Sequence, residues 1–298
     1  MATSIQSDRT AEAASAIRHH YDVGREFYRL WLDPSMTYSC AMWEAEDDTL
    51  AAAQERKLQY HLDAIGAIRA SSVLDIGCGW GSILERLVKA HGVERAVGLT
   101  LSDDQADVVE RCGHPGVEVH RTSWMDYEPD TRFDGIISIG AFEHFATPED
   151  SPAERASVYR EFFTRCRSWL TDDAALSLQT IAYANMSRSD ASAFIQQEIF
   201  PNADLPTLAE ITTAAEGIFE VRSVRNDRLD YARTVEAWAR ELRRHRDEAI
   251  AVVGPDMVAR YETYLKHSAF GFRMGKICLL RLVFDPYRGT YFKRSGRG

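Results

Sequence analysis

The sequence predicts an α/β fold: a doubly wound, Rossmann-like core carrying a helical lid. Short apolar strands alternate with helical segments between residues 72 and 182, and a glycine cluster stands where the first strand meets its helix. After Ile181 the alternation stops, which places the lid in the C-terminal part.

From Ala11, the apolar positions Ala14, Ile17, Tyr21, Phe27, Leu30 and Trp31 predict amphipathic helical turns, broken at Gly24 and ended by Asp33-Pro34. Leu50, Leu58, Leu62, Ile65 and Ile68 predict a helix from about Thr49 to Arg69, capped by Asp48 or Thr49. The first strand is expected at Ser72–Gly77, followed by a helix through Ile83, Leu84, Leu87 and Val88. Further strands are expected at Ala96–Leu101, Val117–Arg121, Gly135–Ile139 and Ala175–Ile181, with helices at Asp103–Cys112 and Ala153–Leu170. Strands apolar on both faces imply a parallel sheet covered on both sides. A strand at Phe219–Val224, a helical region from Thr234 to Lys266 interrupted at Gly254-Pro255, and a last strand at Ile277–Phe284 complete the chain. The expected division is an N-terminal helical segment over residues 1–71 covering the ligand, a binding core over 72–182, and lid insertions with closing strands over 183–298.

The 298 residues are 45% hydrophobic and 27% charged, an ordinary globular composition. Thirty-five Lys and Arg against 45 Asp and Glu leave a net charge of −10, which argues against a nucleic-acid partner and against docking on anionic lipid. No stretch reaches the ~18 apolar residues of a membrane span. Met1–Thr10 is polar and has no secretory-type apolar run. Cys40, Cys78, Cys112, Cys166 and Cys278 are scattered without a CxxC pair, so reduced thiols, no metal site and a cytoplasmic protein are expected.

The cluster Asp75-Ile76-Gly77-Cys78-Gly79-Trp80-Gly81 lets a ligand approach the backbone closely at a helix N-terminus. Its third glycine comes one residue after the second, so the dinucleotide fingerprint is not met. Asp75 would repel a pyrophosphate but can bond an amino group. The second strand ends in Leu99-Thr100-Leu101-Ser102, without the acid that holds an NAD ribose. S-adenosylmethionine (SAM), with a cationic amino-acid end and no phosphate, suits this arrangement best. A dinucleotide and a purely structural turn are the alternatives.

Taken with His20-Tyr21-Asp22-Val23, Thr37-Tyr38-Ser39-Cys40-Ala41, Ser138-Ile139-Gly140-Ala141-Phe142-Glu143-His144-Phe145, Glu198-Ile199-Phe200-Pro201, Asp230-Tyr231-Ala232 and Phe272-Arg273-Met274-Gly275, the glycine segment resembles the cyclopropane fatty acid synthase family. That family includes the mycolic acid cyclopropane synthases and an alkene C-methyltransferase branch with teleocidin-type terpenoid enzymes. The resemblance implies a class I SAM methyltransferase core, with S-adenosylhomocysteine (SAH) as product. It implies cofactor contacts at Tyr38, Ser39, Gly77, Gly79, Thr100, Leu101, Gln105, Trp124 and Ile139. Gln105 can bond ribose hydroxyls, and Trp124 can wall the adenine or simply fill the core. The N-terminal stretch around Tyr21 is expected to close over the cofactor, from its own chain or from a neighbour in a homo-oligomer.

The resemblance also implies a bicarbonate-type catalytic pocket at Cys40, Glu143, Ile181 and Tyr231. Its fifth member departs, because Gln179 stands where the family has histidine, and Asp230 stands where the cyclopropane branch often has another. Glutamine hydrogen-bonds but cannot hold a proton as imidazole does, which counts against bicarbonate and a cyclopropane product. Alkene attack on a sulfonium methyl creates a carbocation, so the chemistry needs a dry, ordered pocket and a proton acceptor. Glu143 is expected to supply the carboxylate, Tyr231 to orient the cluster, and Cys40 to be a small wall residue rather than a nucleophile. Phe194, Ile195, Ile199, Phe200, Leu205, Trp238, Tyr261, Tyr264, Phe270 and Phe272 supply lid and core. The sequence thus favours methylation of a prenyl or terpenoid alkene on a small secondary metabolite. A cyclopropane or methyl-branch synthase on unsaturated fatty acyl chains is the alternative, and a non-catalytic SAM-binding regulator is a third.

Overall fold

The computed structural model describes residues 23–186, 188 and 204–289. Its centre is a seven-stranded sheet in the order β3-β2-β1-β4-β5-β7-β6. The strands β1 (Ser72–Ile76), β2 (Arg95–Thr100), β3 (Val117–Arg121), β4 (Phe133–Ile139) and β5 (Leu170–Tyr183) are parallel, as the alternation predicts. The closing strand β7 (Ile277–Pro286) inserts antiparallel between β5 and β6 (Phe219–Asn226). β3 is an edge strand and half exposed, so the expectation of two apolar faces fails there.

The helices in chain order are α1 (Arg25–Tyr28), α2 (Leu50–Ile65), α3 (Ser82–Ala90), α4 (Asp103–Cys112), α5 (Pro152–Trp169), α6 (Leu208–Ala215), α7 (Arg228–Arg244), α8 (Arg246–Val253) and α9 (Pro255–Arg273). The Thr49 hydroxyl caps α2 by accepting from Ala52 N. Gly66, at φ 70°, ends that helix in the left-handed conformation, before the predicted Arg69. The turn swings Ile68 out to 72% exposure, so it does not belong to the buried stripe in which the sequence counts it. A Ser151/Glu154 capping box with Pro152 in the first turn starts α5. That helix runs directly into β5 with no intervening glycine or proline, which is why the strand begins earlier than its apolar pattern suggests.

Successive residues of each strand face opposite layers. Leu74, Ile76 and Ile136 pack with Phe162 and Phe163 of α5, whereas Val73 and Ile137 pack with Leu58 and Leu62 of α2 and with Ile83 and Leu84 of α3. A further cluster joins Phe27, Tyr28 and Trp31 to Trp238, Tyr261 and Phe272, and so fastens the N-terminal segment to the lid helices. Phe270, counted among lid and core residues, is 63% exposed on α9. The strand order reverses between β1 and β4, and the crevice beyond their carboxyl ends is where such sheets bind ligands.

Candidate active site

The turn after β1 is built for close approach. Gly77 N and Cys78 N both donate to Leu99 O of β2 at 3.0 Å, which folds the loop back on the sheet. Gly77, Gly79 and Gly81 all have positive φ, the region that favours glycine. The three glycines do different work. A Cβ on Gly77 would sit 2.7 Å from Ala141 Cβ, and one on Gly81 would sit 2.8 Å from Val109 Cγ2. At Gly79 a Cβ would meet no protein atom within 4 Å, so this position faces the open cavity.

That cavity is lined by Tyr38, Ser39, Gly77, Gly79, Thr100, Leu101, Gln105, Trp124 and Ile139, every described residue expected to touch the cofactor. Ser102 caps α4 by accepting from Gln105 N, and this brings the Gln105 side chain to the end of β2. Its Oε1 accepts from Thr100 Oγ1 at 2.7 Å, which leaves the amide NH2 to donate to a ribose hydroxyl. Trp124 is both wall and core: it lines the cavity and packs on Phe145 (5.0 Å between ring centres) and Phe162 (5.4 Å). Asp75, at the end of β1, lies on the same cavity. Tyr21 lies outside the described residues, as do Phe194, Ile195, Ile199 and Phe200.

Glu143 sits in the short 3-10 turn Phe142–His144 at the end of β4, between residues 139–141 and 144–145, which line the cavity. Its Oε1 accepts from Ile181 N at 2.7 Å, and among the described residues its buried Oε2 has no hydrogen-bond partner. Burial pushes this carboxyl up to about 7, and the bond from Ile181 N pulls against that rise. Burial pushes the neighbouring His144 imidazole down to about 4, so it is neutral near pH 7. Tyr231 stacks on Phe272 with ring centres 4.4 Å apart.

A family model described as mycolic acid cyclopropane synthetase matches residues 8–282. The chain belongs to the mycolic acid cyclopropane synthase family. It is 36% identical over 289 residues to cyclopropane mycolic acid synthase 2 of Mycobacterium tuberculosis, spanning 90% of this chain and 94% of that protein. The cyclopropane synthase MmaA2 of Mycobacterium tuberculosis superposes with a TM-score of 0.82 at 33% identity, over 92% of this chain and 98% of the other. The mycolic acid cyclopropane synthase CmaA1, solved with SAH and CTAB, gives 0.81 at 31% identity over 92% and 98%. Membership makes the chain a SAM-dependent methyltransferase with a class I core, as the resemblance implied.

Against that family background, the remaining site residues gather in a second cluster behind the cavity. Gln179 of β5 stands directly across from Arg281 of β7 in the antiparallel ladder. Arg281 is fully buried, and its Nε donates to Gln179 Oε1 at 2.9 Å. Its two terminal nitrogens donate to Cys40 O (3.0 Å), Ala41 O (3.2 Å) and the Asp227 carboxylate. His61 of α2 closes the ring, with Nε2 3.2 Å from Gln179 Oε1 and Nδ1 2.8 Å from Ser177 Oγ. Burial, then Arg281 and Lys57, hold that imidazole well below its usual range, so it is neutral and donates from Nε2. The Cys40 thiol is buried, donates to Ala41 O and is pushed up to about 12, which fits a wall residue and not a nucleophile. Bicarbonate would find a free carboxylate oxygen on Glu143, but the Gln179 carbonyl is already committed to Arg281 and His61.

Sequence reasoning missed Lys57, His61 and Arg281. Gln54, Lys57 and His61 recur at the same three- and four-residue spacing as Leu58, Leu62 and Ile65, and all are buried. Polar residues on a buried helical stripe were the available signal.

Proposed function

We propose that this protein transfers the methyl group of SAM to a carbon–carbon double bond in an unsaturated fatty acyl-type chain. When bound, SAM supplies an electrophilic methyl, and the alkene carbon that accepts it leaves a cation that must lose a proton. Gly79 opens room for the cofactor, Gly77 lets the loop close against Ala141, Gln105 offers its amide to the ribose, and Trp124 provides an apolar wall. The observation that carries the reading is Glu143, in the turn whose neighbours Ala141 and His144 line the cavity, with one oxygen fixed by Ile181 N and the other without a partner among the described residues. In its charged form that free oxygen stabilises a nearby cation and takes the proton. Tyr231 stacks on Phe272 in the cluster that also holds Cys40 and Ile181, and so helps to keep this side of the site apolar.

The acyl-type acceptor is preferred over the prenyl or terpenoid group because the relatives at 33% identity and above are named as synthases of cyclopropanes, several on mycolic acids. Mass spectrometry of reactions with methyl-labelled SAM tests this choice. An added CH2 on an unsaturated phospholipid or acyl thioester is the expected result. A label found only on a prenylated small molecule would return the reading to terpenoid methylation.

A further inference from the structure

Two buried charges face the cofactor cavity without facing each other in an ion pair. Lys57 of α2 is 1% exposed, and among the described residues its ammonium has one hydrogen-bond partner, Ser39 Oγ at 3.0 Å. An ammonium has three protons to give. Asp75 is 2% exposed, and its Oδ1 is buried with no partner. Both line the cavity that receives the cofactor. Gln54, one helical turn before Lys57, donates to Thr37 O and Ser39 O and so holds the Ser39 segment against α2. Burial, then Arg281, pushes Lys57 down to about 7, while Asp33, Cys40 and Asp75 pull it back up. Burial raises Asp75 to about 7, with Lys57 pulling the other way. A buried charge without a counter-charge is expensive, and an amino-acid zwitterion carries both of the missing signs on adjacent atoms.

We propose that Lys57, with Ser39, recognises the carboxylate of the cofactor's amino-acid end, opposite Asp75, to which the sequence reading already gives its amino group. The site then reads the zwitterion through two charges of opposite sign, one on α2 and one on β1. Discrimination against a cofactor lacking the carboxylate resides in Lys57.

Calorimetry with three probes on the full chain tests the assignment: SAH, its decarboxylated analogue, and 5′-methylthioadenosine, which lacks both charged groups. The parent should bind SAH roughly 10- to 100-fold more tightly than the decarboxylated analogue, the scale of a charge-assisted hydrogen bond. Lys57→Met should weaken SAH by that factor and leave 5′-methylthioadenosine within about twofold. Lys57→Arg, which keeps the charge, should retain part of the preference. Equal weakening of all three probes by Lys57→Met would make Lys57 a purely structural prop and overturn the proposal. Should that variant fail to fold, the parent still decides, because equal affinity for SAH and its decarboxylated analogue contradicts the proposal. Absence of binding by all three probes would instead strike the cofactor site itself.

Discussion

The cofactor cavity, at the ends of β1, β2 and β4, and the Arg281 cluster, between β5 and β7, are built on opposite principles. In the cavity, polar groups stay unsatisfied among the described residues: Asp75 Oδ1 has no hydrogen-bond partner, Lys57 has one, and Gly79 leaves space that any side chain would occupy. Around Arg281, the guanidinium is spent on Gln179, Asp227 and the carbonyls of Cys40 and Ala41. The contrast separates a surface that waits for a ligand from one that holds the wall in place. Arg281 ties the Cys40–Ala41 segment, next to Tyr38 and Ser39, to both closing strands and to the start of α7. Glu143 stands at the boundary, with one oxygen satisfied and one free.

Breaking the sealed side should cost the most. Arg281→Met takes from Asp227, held below its usual range by Arg225 and Arg281 against its burial, one of its two arginine partners, and leaves the buried Cys40 carbonyl without its guanidinium donor. Loss of one partner of such a buried pair costs about 3–5 kcal/mol, read as a lower urea midpoint at unchanged slope. A stability unchanged within error would show that the cluster is not a clamp.

The open side should fail differently. Gly79→Val places its side chain where no protein atom stands, at a φ of 53° that β-branched residues avoid, so a folding cost of about 1–2 kcal/mol accompanies it. Its larger effect should be on ligand: SAH binding falls below detection in calorimetry while the protein remains folded. Gly81→Ala inverts the pattern, since its Cβ presses on Val109 and not on the cavity. It should lower the melting temperature and leave SAH affinity within about threefold, at most about 0.7 kcal/mol.

The same contrast explains what the sequence revealed. The parallel strands and the glycine turn were legible because they obey local rules, alternation and punctuation by glycine, whereas Gln105 was named only through the family resemblance. The sealed cluster was not legible, because it depends on register. Gln179 meets Arg281 only because β7 returns antiparallel beside β5, which no pattern in Ile277–Phe284 announces. Lys57 and His61 share the spacing of the apolar stripe of α2, but their polar side chains hid that they are buried. Conversely, Ile68 looked buried and is exposed, because Gly66 reverses the chain before it. Ile68→Ser should therefore change stability by less than ~0.5 kcal/mol in chemical denaturation, the smallest effect predicted. A loss of 2 kcal/mol or more would place that side chain in the core.

The pH dependence of kcat in the parent and in Glu143→Gln tests the central claim most directly. With its carboxyl pushed up to about 7, Glu143 is mostly protonated below that pH and becomes a competent base above it. The parent's kcat should therefore rise with pH through about 7. Glu143→Gln keeps size and hydrogen bonding but removes the charge. It should lower kcat by ~10² to 10⁴, erase the rising limb and leave SAH affinity within about twofold. A variant that turns over an alkene at the parent's rate with the same pH profile would contradict the account, and the chemistry would then rest on pocket geometry without a base at Glu143.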